Sequence, residues 1–170
     1  KICKRRAITR SKEVEMSINA GIKAPDFMLP DENGENVTLS AFRGQKVILY
    51  FYPKDDTPGC TTEACHFRDD YAEYEKLGVK ILGVSPNTVK SHTRFKSKYQ
   101  LPFTLLADPD HIVCELYGVW GRKKFMGKEF DGVFRTTFLI NQEGIIEKVF
   151  KNVKPEPHSQ ELLKELTKEE

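Results

Sequence analysis

The sequence predicts a mixed α/β sheet flanked by helices. Two apolar runs, Lys46 to Tyr52 and Val79 to Val84, have the β-branched and aromatic make-up of strands buried on both faces. Segments of helical period separate and follow them, and the chain closes with a hairpin pattern and a last helix. At 170 residues, with 39% hydrophobic and 31% charged side chains, the chain is long enough for one domain with a sizeable core.

An extended start runs through Pro25 and Pro30, and the DENGEN stretch at 31–36 reads as a turn into a short strand at Val37 to Leu39. Pro53 ends the strand that begins at Lys46. From Gly59 to Leu77 the residues Phe67, Tyr71, Tyr74 and Leu77 fall at helical spacing, and Gly78 closes that helix. After the strand at Val79 to Val84 come an amphipathic helix over 88–99, a short strand at Thr104 to Ala107 and a short helix from His111 to Tyr117. Arg135 to Ile140 is expected to pair with Ile145 to Phe150 across the turn at 141–144, with Ser159 as N-cap of the final helix. That alternation, ending in a hairpin, points to a sheet of the thioredoxin type.

A net charge of +2, from 27 basic and 25 acidic side chains spread along the chain, provides no field suited to nucleic acid or an anionic membrane. The longest apolar runs fall well short of the roughly 18 residues of a spanning helix. Residues 1–15, KICKRRAITRSKEVE, lack the apolar core of a signal peptide. They read as a loose basic leader, an expression remnant or the remains of an organelle-targeting segment, with the single domain at 16–170 starting naturally at Met16. Four cysteines without secretory features suit a reducing, cytoplasmic setting better than a disulfide-stapled scaffold.

Chemistry concentrates in PKDDTPGCTTEAC at 53–65, where a buried strand passes into a long helix. Functional sites of open α/β sheets lie at such junctions. Thr57 has an N-cap side chain and Pro58 suits the first helical position, which puts Cys60 third, inside the first turn. There the unpaired N–H groups and the positive end of the helix dipole favour a thiolate over a thiol. A small buried hydrophobe is what most free cysteines are, but that role does not call for Thr-Pro-Gly ahead of it.

With Pro53, Thr57 and Cys60 the segment resembles the Pro-x-x-x-Thr-x-x-Cys pattern of the peroxiredoxins. The four-residue gap between Cys60 and Cys65 is similar to that of the bacterioferritin-comigratory-protein, or peroxiredoxin Q, branch. The likeness continues through APDFMLPDENGENVTLSAFRGQKVILYFYPKDDTPGC, LPFTLLADPD, YGVWG and RTTFLI, over roughly residues 20 to 168. It implies a thioredoxin-like fold and a thiol peroxidase that needs no cofactor, reduces hydrogen peroxide and organic hydroperoxides, is recycled by a thioredoxin-like reductant, and is a monomer.

The resemblance further implies Cys60 as the attacking thiol, Thr57 as a hydroxyl donor to the substrate oxygens, and Arg135 as the cation holding thiolate and peroxide. Pro53 would shield the sulfur, and Glu63 would orient Arg135 or neighbouring backbone. Each position also has an ordinary explanation: a surface ion pair for Arg135, a strand stop for Pro53, and a dipole-favoured helix start for Glu63. Cys65 is implied to resolve the sulfenic acid of Cys60 as a disulfide. On one regular helix the two Cα atoms would lie about 8.6 Å apart, beyond the roughly 4.4–6.8 Å of a disulfide. Joining them requires the helix to unwind. Cys114 falls in the apolar pattern of its short helix, and Cys3 lies in the leader.

Rival readings remain at this level. A zinc site on Cys60, Cys65 and His66 lacks a second ligand pair at suitable spacing. A disulfide oxidoreductase would normally carry Cys-x-x-Cys, and a binding module would leave the capped cysteine unexplained. Neither a Walker loop nor a GxGxxG turn is present for nucleotides. Phe51, Trp120 and Phe125 could line an apolar approach for bulky peroxides, although such residues more often pack a core.

Overall fold

A computed structural model describes residues 18–168. The leader at 1–15, Met16 and Cys3 lie outside the described residues. In chain order the elements are β1 (Met28–Pro30), β2 (Asn36–Thr38), β3 (Lys46–Phe51), α1 (Pro58–Asp69), α2 (Tyr71–Lys76), β4 (Val79–Ser85) and α3 (Val89–Tyr99). There follow β5 (Thr104–Ala107), α4 (Ile112–Leu116), β6 (Trp120–Phe125), β7 (Lys128–Val133), β8 (Thr136–Ile140), β9 (Ile146–Phe150) and α5 (His158–Thr167).

The central sheet has the order β5-β4-β3-β8-β9. β3 runs parallel to β4 and antiparallel to β8, so the predicted mixed sheet is present. Side chains of a strand alternate between faces. In β3 this sends Val47, Leu49 and Phe51 into one core cluster and Ile48 and Tyr50 into the other. Both faces are buried, and that is why the segment reads as a continuous apolar run.

One face packs on Phe67, Tyr74, Phe95 and Leu162 from α1, α2, α3 and α5. The other is covered by Leu29, Leu39, Val113 and Tyr117. Phe67 is fully buried, with its ring centre 4.9 Å from that of Tyr50 and 5.9 Å from that of Tyr74. Truncating such a side chain removes its transfer energy and leaves a cavity. Phe67→Ala is expected to cost about 3–5 kcal/mol, read from the shift of the denaturant midpoint.

Three expectations change. The single helix over 59–77 is broken at Asp70 (φ −93°, ψ 2°), whose carboxylate accepts hydrogen bonds from Ser159 Oγ at 2.7 Å and Gln160 Nε2 at 3.0 Å. Contacts from α5 thus interrupt a pattern that is locally continuous. Ser159 is consequently not an N-cap: α5 starts at His158, and the Ser159 hydroxyl is spent on Asp70. The third change is the β6–β7 hairpin, which the sequence reading left without strands. Its charged run RKKFMGKEFDG shows no clean alternation, and its two-residue turn is Met126-Gly127, both at positive φ, instead of the familiar Asn-Gly.

The remaining elements fall within one or two residues of expectation. Cys114 is fully buried among core residues, and burial pushes its thiol well above the ordinary range.

Candidate active site

α1 starts where the sequence places it, with Pro58 as its first residue and Thr57 in extended conformation at the N-cap position. The Thr57 side chain does not cap the helix. Its hydroxyl donates to the Lys54 carbonyl at 2.8 Å. Cys60 is third in the helix and 2% exposed. Pro53 lies half-buried in the loop after β3.

Arg135 arrives from the junction of β7 and β8, 75 residues along the chain, and its Nη2 donates to Cys60 Sγ at 3.2 Å. Nη1 of the same guanidinium faces Glu63 Oε1 at 3.3 Å. A planar fork can hold two acceptors at once. Gly59 leaves room for the approach: a Cβ there would stand a tight 3.2 Å from Arg135 Nη2 and 3.5 Å from Pro155 Cγ. Cys60 and Glu63, both buried, and the partly buried Arg135 thus form one contact group. Cys65 is half-buried on the same unbroken helix, and both thiols are free.

The electrostatics follow from burial. Glu63 is 1% exposed, and desolvation raises its carboxyl to about 7 against the pull of Arg135. Burial works against the Arg135 charge, but Glu63 and the Cys60 sulfur outweigh it and hold the guanidinium more firmly protonated than usual. His158, whose Nε2 lies 2.7 Å from Thr137 Oγ1, is lowered to about 4 by burial and then by Arg135.

Glu63 and His158 act oppositely on stability. An acid raised from 4.5 to about 7 stabilises the fold below pH 4.5, and this contribution is lost as pH rises towards 7. A base lowered from 6.5 to about 4 stabilises the fold above pH 6.5, and this is lost as pH falls towards 4. Each is worth about 3 kcal/mol across its window. Glu63→Gln removes the first effect, so its unfolding free energy should climb from pH 4.5 to pH 7 more steeply than that of the unmodified protein.

The loop beneath the thiol is anchored by residues that the sequence reading missed. Asp55 is 7% exposed and accepts from Tyr52 Oη at 2.7 Å and Ser91 Oγ at 2.8 Å, with His92 Nδ1 also at 2.7 Å. His92 Nε2 lies 2.9 Å from the Leu106 carbonyl oxygen. Asp56, at φ 55°, accepts from Lys98 and Tyr99 of α3, each at 2.7 Å. Apart from Tyr52, these partners of Asp55 and Asp56 come from 36 to 43 residues away, and no local pattern marks them. Of the three aromatics considered for an apolar approach, Phe51 is core, Trp120 stacks on His111 at 4.0 Å and Phe125 is exposed. Among the described residues no cluster of ligands suits a metal ion, and no helix is long and apolar enough to cross a membrane.

The model of the AhpC/TSA family matches residues 20–149. The bcp peroxiredoxin of Coxiella burnetii is 55% identical over 148 residues, covering 87% of this chain and 98% of that protein. Peroxiredoxin Bcp of Escherichia coli is 52% identical over 141 residues, covering 83% and 90%. Among solved structures, Xanthomonas campestris peroxiredoxin Q superposes with a TM-score of 0.81 at 38% identity, covering 88% of this chain and 97% of that one. The fold is therefore thioredoxin-like, as its element order suggested. With a matching family model over most of its length and close relatives on both counts, this chain belongs to the AhpC/TSA family, in the Bcp/peroxiredoxin Q branch of the peroxiredoxins.

Proposed function

We propose that this thiol peroxidase attacks hydrogen peroxide and organic hydroperoxides with Cys60 and is regenerated through a disulfide to Cys65, which a thioredoxin-like protein reduces. Branch membership carries the peroxidase activity itself, with a peroxide as oxidant and a thiol as reductant. The observation that carries the assignment to Cys60 is the Arg135 guanidinium 3.2 Å from its sulfur at the start of α1. The permanent cation supplies a counter-charge to the thiolate, the form that attacks.

Attack of Sγ on the terminal peroxide oxygen forms Cys60–SOH and releases an alkoxide or hydroxide. Donors aimed at that developing charge lower the barrier most in a desolvated site. Arg135 is one such donor. Thr57 becomes another when its hydroxyl turns from the Lys54 carbonyl to the substrate. Pro53 limits access of water to the sulfur, and Glu63 holds the fork of Arg135 in register. The sulfenic acid then condenses with the Cys65 thiol before further oxidation makes it irreversible. Glutaredoxin or glutathione are the alternative reductants, and we assign the protein to a reducing, cytoplasmic setting as a monomer.

Both cysteines lie on regular helix, so the bridge requires α1 to open over its first turns. One equivalent of hydrogen peroxide should consume two thiols per chain, with peptide mapping locating a Cys60–Cys65 bridge. Far-UV circular dichroism should record a loss of roughly two helical turns, reversed by reductant. In Cys65→Ser the same oxidant should stop at a sulfenic acid trapped by dimedone. Peroxide treatment that leaves Cys60 unmodified would sink the assignment.

A further inference from the structure

The β6–β7 hairpin carries four cations, of which Arg122, Lys124 and Lys128 are exposed. Lys123 is turned inward. Its stem crosses the bare backbone of Gly132, where a Cβ would stand 3.1 Å from Lys123 Cδ. Its Nζ donates to the Val133 carbonyl at 2.8 Å and lies 6.0 Å from the centre of the Phe134 ring. Val133 and Phe134 lead directly into Arg135, so the ammonium is held on the same strand exit that brings the guanidinium to Cys60. Burial, and then the Arg135 charge, lower Lys123 below the usual lysine range, while the Cys60 sulfur opposes the shift. One of its three N–H donors is spent on Val133, which leaves two.

Breaking the O–O bond creates a base that must be protonated. Arg135 does not give up a proton. The Thr57 hydroxyl, once turned from Lys54 to the substrate, offers a hydrogen bond but is too weak an acid to yield its proton, and Glu63 sits behind the guanidinium, on the nitrogen that does not face the sulfur. Lys123 is an acid whose proton can be replaced from water.

We propose that Lys123 protonates the departing oxygen when Cys60 attacks a hydroperoxide, an inference that rests on the thiol-peroxidase reading above. The Cys60 thiolate bonds to the terminal oxygen and the O–O bond breaks, its electron pair leaving on the distal oxygen. A proton passes from Nζ to that oxygen. The products are Cys60–SOH, the alcohol or water, and a neutral amine that solvent reprotonates.

Such a donor matters only when the leaving group is a strong base. Hydrogen peroxide expels hydroxide, whereas peracetic acid expels acetate, which needs no proton at neutral pH. Second-order oxidation rates of the reduced protein are therefore measured with both oxidants. Lys123→Met should slow the reaction with hydrogen peroxide by about 100-fold and change that with peracetic acid by no more than about threefold. Lys123→Arg keeps the charge without a transferable proton and should behave like Lys123→Met. Equal losses with both oxidants, no loss with hydrogen peroxide, or recovery in Lys123→Arg would each overturn the proposal while leaving Cys60 as nucleophile. Absence of any reaction of the unmodified protein with either oxidant would instead overturn the peroxidase mechanism and this inference with it.

Discussion

Substituting serine for Cys60 is expected to bring peroxide turnover down to background, a loss of at least about 10⁴-fold. The replacement is nearly isosteric at a site only 2% exposed, so the fold and the place of Arg135 should persist. A hydroxyl in that position has no base to remove its proton, because its neighbours are a guanidinium and a glutamate already paired with it. The check is peroxide consumption with saturating reductant, alongside an unchanged circular dichroism spectrum. Turnover above about one hundredth of the original rate would move the nucleophile elsewhere, and half-exposed Cys65 would be the next candidate.

Removing the cation should have the second-largest effect. On the proposed mechanism Arg135→Leu takes away both the partner of the thiolate and a donor to the breaking O–O bond, and a loss of about 10²–10³-fold in the second-order rate constant is expected. It also strips Glu63 of its partner among the described residues, and an unpaired buried charge costs about 3–5 kcal/mol. Glu63 has a way out. With the guanidinium gone, burial acts unopposed, and the carboxyl rises further above 7 and takes up a proton. Stability at pH 7 should therefore fall by less than the unpaired-charge figure and recover as the pH is lowered.

The double variant Arg135→Leu/Glu63→Gln separates the two consequences. It should regain most of the stability and none of the activity. Recovery of activity in the double variant would mean that Arg135 acts only by neutralising Glu63. Arg135→Lys should fall between the extremes, since a point charge cannot hold Sγ and Oε1 together as the fork does.

The sequence by itself determined what depends on neighbouring residues. Val47 to Phe51 could be read as a strand buried on both faces, because alternate side chains enter the two cores. The start of α1 was legible because a proline at the first helical position and an extended residue before it are local properties of the chain. Those two features placed Cys60 in the first turn, the position on which its proposed role rests. The tertiary structure decided whatever rests on residues far apart in the chain. Asp70 breaks a continuous helical pattern because Ser159 and Gln160 bind it, and Ser159 forgoes a cap for the same reason. The β6–β7 strands exist by pairing with each other across a turn that carries no common signature. Whether Glu63 was a solvated helix residue or a buried partner of Arg135 depended on strands that close over α1, as did the inward turn of Lys123 across Gly132. Local bonding preferences are written in adjacent residues. Burial is set only when the chain has packed, and packing is what brought Cys60, Glu63 and Arg135 into contact.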